Sequence, residues 1–288
     1  MAEGNPSART FRLACVQVNA SEDIDENLKI AGDFARSARA DGAAFIAFPE
    51  NVAFMAPDGK GVREAAEPED SHRALRFFRD LARELEAWLL VGSLCVTTDD
   101  PDGRVANRSF LIGADGAVAA SYDKIHMFDV TLPGGESYRE SATYCPGSRA
   151  VIAPTPFAAL GLTICYDLRF PYLYRALAKG GAELIAVPSA FTRTTGRAHW
   201  HTLLRARAIE TGCFVFAPAQ CGTHARGRQT FGHSLIIDPW GRVLAEAGAE
   251  PGFIAADIDP ALVAGIRAQV PSLSHDRDIV APDRLPGG

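Results

Sequence analysis

An α/β fold is predicted for this 288-residue chain, with two sheets packed together and helices on their outer faces. Three observations lead there. Short apolar runs alternate with segments of three- to four-residue apolar periodicity, the pattern of strand–helix–strand units. One unit occurs twice: "AAFIAFPEN" at 43–51 returns as "AELIAVPSA" at 182–190, proline over proline, 139 residues further on. No Pro/Gly/Ser-rich linker or charge run separates the copies, which favours one duplicated domain. The alternative is two domains with a boundary near Pro146 to Pro156.

Taken in order, "FRLACVQVN" (11–19) reads as a buried strand. "DENLKIAGDFARSARADG" (25–42) is an amphipathic helix with Leu28, Ala31, Ala35 and Ala38 on one face and Gly42 to stop it. "AAFIAFPE" (43–50) is a strand ended by Pro49. A second helix spans 72–87, with Leu75, Phe78, Leu81 and Leu85 aligned, and "WLLVGSLCVT" (88–97) follows as a strand. "RVANRSFLIG" and "AVAASYDK" form a hairpin across "ADG" (114–116). The second half repeats the plan: strand "LGLTICYD", helix 171–181, strand 182–190, helix 200–212, strand 213–220, and a hairpin over 232–248 turning at "DPWG".

Composition narrows the class. Hydrophobic residues make up 47% and charged residues 22%, enough for a sizeable core and unlike a disordered chain. A net charge of −6 without a basic block argues against nucleic acid as a partner. The opening "MAEGNPSART" lacks the apolar run of a signal peptide. The longest uncharged stretch near the middle, Ala150 to Tyr166, is broken by Pro154, Pro156 and Gly161, so no membrane association is expected. Six cysteines stand singly, none as C-x-x-C, which suits free thiols in a reducing cytoplasm better than disulfides or a zinc site.

Chemistry in such sheets collects past the carboxyl ends of strands. Glu50, Lys124 and Cys165 each fall at such an end, on three different strands, with Cys165 placed at the last turn of its own. A thiol attacks an amide carbon as thiolate and needs a base, which a carboxylate in a partly apolar pocket can be. An ammonium beside it, with the N–H after the nucleophile, would hold the oxyanion. The set requires no metal and no cofactor. Each residue singly also has a bland reading: a core cysteine, a turn acid, a solvated lysine. Residue types and spacing alone leave an amidohydrolase and a plain sandwich both open.

Three segments, "AFIAFPEN", "YDKIHMFD" and "LTICYDLRFP", resemble in order and spacing the signatures of the nitrilase, or carbon–nitrogen hydrolase, superfamily. The resemblance spans about residues 11 to 280. It implies a four-layer αββα sandwich with internal pseudo-two-fold duplication, and a catalytic triad of Glu50, Lys124 and Cys165. It also implies a second glutamate holding the lysine at Glu140 in "SYRESATYCPG", with Glu136 as competitor, and an oxyanion donor at the Tyr166 N–H. The expected reaction cleaves a terminal carboxamide of a small carboxylate-bearing substrate to acid and ammonia through a cysteine thioester.

Within the superfamily, 191–241 resembles the branch called Nit1, whose members are similar to deaminated glutathione amidases. Alternatives are an ω-amidase on α-ketoglutaramate, an N-carbamoyl amino acid amidohydrolase, a nitrilase, or a catalytically idle scaffold. Arg169, Phe191 and Thr195 match family positions for substrate binding, and a guanidinium fork suits a substrate carboxylate. The competing reading of Arg169 is an ion pair with Asp167. Tyr172 departs from a glutamate common after "RFP" in the family, which bears on local helix contacts. His199, His201, His224 and His233 raise a Cys–His alternative, though nothing like the local signature of papain-like enzymes surrounds Cys165. A single domain over 1–288 is expected, with its core at about 11–258 and a tail, 259–288, that the resemblance places in a homodimer contact.

Overall fold

The computed structural model describes residues 10–133 and 135–278. Two six-stranded sheets form its centre. The strands are β1 (Phe11–Gln17), β2 (Phe45–Ala47), β3 (Trp88–Val96), β4 (Ala106–Ile112), β5 (Val118–Asp123), β6 (Asp129–Thr131), β7 (Ser137–Arg139) and β8 (Val151–Ala153). They continue with β9 (Leu160–Leu162), β10 (Leu184–Ala186), β11 (Phe214–Ala217), β12 (Cys221–Thr223), β13 (Gln229–Phe231), β14 (Leu235–Ile237), β15 (Val243–Glu246) and β16 (Gly252–Ile258). The helices are α1 (Ile24–Ala40), α2 (Gly59–Ala65), α3 (Arg73–Leu85), α4 (Pro171–Lys179), α5 (Arg193–Thr211) and α6 (Ala261–Gln269).

The first sheet runs β16-β1-β2-β3-β4-β5 and the second β15-β14-β11-β10-β9-β8, with β6–β7 and β12–β13 as separate hairpins. Each sheet has a parallel trio: β1, β2, β3 in the first and β9, β10, β11 in the second. The duplication extends to single hydrogen bonds. Phe48 N–H donates to Leu90 O at 2.9 Å, and Val187 N–H, 139 positions on, donates to Phe216 O at 2.9 Å. The segment 146–156 carries β8, an edge strand of the second sheet.

Period-two alternation explains the layers, because successive strand side chains point to opposite faces. Leu13, Cys15, Phe45, Ala47 and Leu90 face the second sheet and join Leu160, Leu162, Leu184 and Phe216 in one buried cluster. Ala14, Val16, Ile46, Phe48 and Leu89 face outward into a second cluster with Leu28, Ala31 and Ala35 of α1 and Leu75, Phe78 and Leu81 of α3. Both faces are covered, which is why these strands read as continuous apolar runs. Asp23 caps α1 through the Glu26 N–H, and Gly42, at φ +94°, turns the chain toward β2. The layers are thus helices, sheet, sheet, helices: an αββα sandwich.

One expectation is corrected. The strand read at 160–167 stops at Leu162, and Cys165 opens a short 3-10 turn over Cys165–Arg169 with φ +49°. The cause is Asp167, whose carboxylate accepts the Ile164 N–H at 2.9 Å and folds the chain back before the strand can continue. Beyond β16, α6 seats the buried Val263, and its Arg267 bonds the carbonyls of Thr211 and Ala182. Asp276 pairs with Arg175 and Lys179 of α4. The last part of the tail, 279–288, lies outside the described residues.

Candidate active site

Glu50 stands one residue past Pro49, beyond β2, and is almost wholly buried. Gly92 makes room for this segment: a Cβ there would lie 2.2 Å from Phe48 O and 2.3 Å from Pro49 O. Glu50 Oε1 accepts from Lys124 Nζ and from Asn107 Nδ2, both at 2.9 Å, and Oε2 accepts the Ala190 N–H at 2.8 Å. Gln220 fixes the backbone below, donating to Glu50 O at 3.0 Å. Burial pushes the Glu50 carboxyl up, but the Lys124 charge and the hydrogen bonds outweigh it and hold it below the ordinary range.

Lys124 follows β5 directly, its N–H donating to Asn107 O across the β4–β5 hairpin. Its Nζ meets Glu140 Oε1 at 2.8 Å and Oε2 at 2.9 Å besides Glu50. Burial lowers the ammonium's affinity for its proton, and the two carboxylates more than reverse that, so it stays charged. Glu140 therefore sits where the second glutamate was expected. Glu136 lies on the cavity rim, 3.5 Å from the Tyr138 hydroxyl.

Cys165 is buried at 7% exposure, and its N–H donates to Pro188 O at 2.9 Å. A positive φ at a non-glycine residue is uncommon and is met where a side chain must be aimed. Burial pushes the thiol well above its ordinary value, helped by the Glu50 charge and opposed by Lys124. The resting arrangement is thus thiol, carboxylate and ammonium. Among the described residues the Tyr166 N–H has no acceptor.

Asp167 ties the two segments together. It is fully buried and accepts from the Tyr122 hydroxyl at 2.7 Å and the His126 N–H at 3.0 Å, residues on either side of Lys124, while also bonding Ile164 next to Cys165. This leaves nothing for Arg169. In place of an ion pair with Asp167, the Arg169 guanidinium lies 5.2 Å from the Phe191 ring and 5.8 Å from the Tyr166 ring, with His199 Nδ1 at 3.3 Å. Burial holds its pKa below the usual arginine value.

Glu50, Lys124, Glu140, Cys165, Phe191 and Thr195 all line one cavity of about 660 Å³, as does Tyr166. Arg169 stands behind two lining rings. Of the histidines, His224 bonds Ala20 O and Thr230, and His201 and His233 share Glu246; none lines the cavity. Tyr172, the departure from the family pattern, reaches the His126 ring.

Sequence reasoning missed Asn107, the Ala190 N–H, Asp167 as tether, and Arg228 in the cavity wall. Asn107 was within reach of the hairpin pattern, since β4–β5 pairing sets Arg108 opposite Asp123 and hence Asn107 beside Lys124. The register shift between Leu111 and Ile112 defeats a simple count outward from the turn. Ala190 contributes a backbone group, for which no residue type is a signal.

A thiol, a carboxylate and an ammonium meeting between two sheets of this topology define a class, and the chain belongs to the carbon–nitrogen hydrolase family, whose model matches residues 12–268. The reaction class is hydrolysis of an amide carbon–nitrogen bond. The chain is similar to the deaminated glutathione amidase of Synechocystis, 39% identical over 269 residues, covering 93% of this chain and 98% of that one. The human deaminated glutathione amidase is 39% identical over 280 residues, covering 96% and 85%. Among solved structures, the C. elegans NitFhit protein superposes with a TM-score of 0.86 at 36% identity, covering 94% of this chain and 66% of that one. A variant of the Nesterenkonia amidase, with the acetamide moiety of fluoroacetamide added covalently at its active-site cysteine, gives 0.76 at 27% identity, covering 93% and 98%. No helix among the described residues is long and apolar enough to cross a membrane.

Proposed function

We propose that this chain hydrolyses deaminated glutathione through a thioester on Cys165, with Glu50, Lys124 and Glu140 completing the catalytic set. The observation that carries the reading is the meeting of Glu50, Lys124 and Cys165 on one cavity, with Lys124 held at 2.9 Å from Glu50 and 2.8 Å from Glu140. Glu50 takes the thiol proton, and sulfur adds to the amide carbonyl carbon. An ammonium has three N–H bonds. With one on Glu50 and one shared by the Glu140 oxygens, the third is left for the oxyanion beside the Tyr166 N–H. Collapse breaks the C–N bond, and Glu50 returns the proton to the departing nitrogen. Water then gives a proton to Glu50, adds to the thioester, and releases the acid as the sulfur regains its hydrogen.

The substrate's chemistry alters one expectation. Deaminated glutathione has no terminal carboxamide; its amides are the two links between its residues, so the leaving group is an amine of a small peptide and not ammonia. The relatives' names and the cavity size support this choice over α-ketoglutaramate, an N-carbamoyl compound or a nitrile. Phe191 and Thr195 are proposed to hold the acyl portion, with Arg169 contributing its charge to the 2-oxo acid end from behind the Phe191 and Tyr166 rings.

The whole chain acts as one domain in this reading, in the cytoplasm, where its six free cysteines suit a reducing medium. A homodimer is proposed, with Ile209 and Trp240 among its exposed apolar side chains and light scattering as its test. For the chemistry, the Cys165→Ala protein should keep its fold by circular dichroism and lose turnover by about 10⁴-fold or more. Release of amine from deaminated glutathione at a rate near wild type would refute the nucleophile.

A further inference from the structure

Arg228 sits in the loop between β12 and β13 and lines the same cavity. Among the described residues no carboxylate pairs with it, although the neighbouring Arg226 is matched by Asp58 at 2.8 Å. Its Nε is buried with no hydrogen-bond partner, and one terminal nitrogen reaches Ala190 O only at 3.5 Å. The guanidinium lies 5.7 Å from the Tyr138 ring. An orphaned buried donor on a charged fork is costly, and a ligand carboxylate would satisfy two of its N–H bonds at once.

Its place decides which end of a substrate it meets. Ala190, which Arg228 touches through its carbonyl, is the residue whose N–H holds Glu50. Glu50 is the group that protonates the departing nitrogen, so Arg228 stands on the leaving-group side, while Arg169 leans on Tyr166 beside the nucleophile. The cavity of about 660 Å³ also far exceeds what departing ammonia needs, roughly the 30 Å³ of a water-sized molecule. We propose that Arg228 forms an anion subsite for a carboxylate on the amine portion of the substrate. The enzyme's substrates are then amides whose leaving amine is a small peptide ending in a free carboxylate. This rests on the assignment of an amide hydrolase above and names the specificity of its second half.

Two substrates with the same acyl group separate the roles: deaminated glutathione, whose amine ends in a glycine carboxylate, and α-ketoglutaramate, which releases ammonia. Arg228→Gln should lower kcat/KM for deaminated glutathione roughly 10- to 100-fold, mainly through KM, and leave α-ketoglutaramate within about threefold. Equal losses on both substrates, or no loss on either, overturn the subsite. A binding measurement in the Cys165→Ala background keeps the question independent of turnover. There, deaminated glutathione should bind at least about tenfold more tightly than its glycinamide-ended analogue, and Arg228→Gln should erase that difference. Equal affinity for the two ligands with Arg228 present overturns the subsite. Discrimination intact in a wild-type enzyme that fails to hydrolyse deaminated glutathione would remove the substrate assignment and keep the anion subsite.

Discussion

Past β2 the chain reads Phe48-Pro49-Glu50-Asn51, and past β10 it reads Val187-Pro188-Ser189-Ala190. The two passages occupy equivalent places in equivalent sheets, down to matched 2.9 Å hydrogen bonds from Phe48 and Val187. The first delivers a carboxylate side chain to the cavity; the second delivers a backbone N–H, and the two meet at 2.8 Å. Duplication thus supplied a symmetric frame, and the chemistry comes from breaking that symmetry at a few positions. The acid and the ammonium come from the first half and the connection after it, the thiol from the second.

The comparison breaks hardest at Glu50. Glu50→Gln keeps the shape, removes the base, and should cost roughly 10²–10⁴-fold in kcat. It should also change the response to acid. The folded state holds the Glu50 carboxyl below its ordinary value of 4.5, so the carboxylate's stabilising contribution is complete above that value and is lost as pH falls below it. Melting curves taken from about pH 6 to pH 3 should fall less steeply for Glu50→Gln than for wild type. Parallel curves would show that Glu50 does not carry a lowered pKa.

Asp167 comes next, since it joins the lysine-bearing segment to the cysteine-bearing turn. Asp167→Asn should cost about 2–4 kcal/mol in a denaturant titration, because an amide nitrogen would face donors now satisfied by a carboxylate. An unchanged midpoint would mean the tether is dispensable. Glycines sharpen the contrast between halves. Gly92→Ala drives a methyl into the Phe48 and Pro49 carbonyls and should cost about 1–3 kcal/mol with a fall in kcat. Gly161→Ala in β9 meets Leu177 Cδ1 at 3.1 Å, a movable group, and should cost under about 1 kcal/mol with kcat retained. Equal effects at the two glycines would deny that the Glu50 segment is uniquely crowded.

What was legible in the sequence followed from residue type. The paired phrases at 43–51 and 182–190 showed the duplication, and residue type made Glu50, Lys124 and Cys165 candidates, although Cys165 lies in a turn three residues past β9 and not at a strand end. Glu140 needed the resemblance, because a glutamate in a polar stretch has no periodicity to place it. The rest was hidden for identifiable reasons. A bulge masked Asn107. The turn at Cys165 depends on Asp167 reaching Tyr122, 45 residues away. Arg228 lies in a short loop whose course is set by β12–β13 pairing and not by its own composition. The strand β16 pairs with β1 at the opposite end of the chain, and no local pattern announces such a return.

The hydrogen bond from Ala190 to Glu50 closes a stretch of 140 residues, and that from Gln220 to Glu50 closes 170. Neither can exist while half the polypeptide is still unstructured, and such distant closures are the slow events of folding. A nascent chain that has emerged only as far as β5 therefore carries a base without a nucleophile and hydrolyses nothing. On dilution from denaturant, ellipticity should return before turnover does, so that activity marks the final step of maturation.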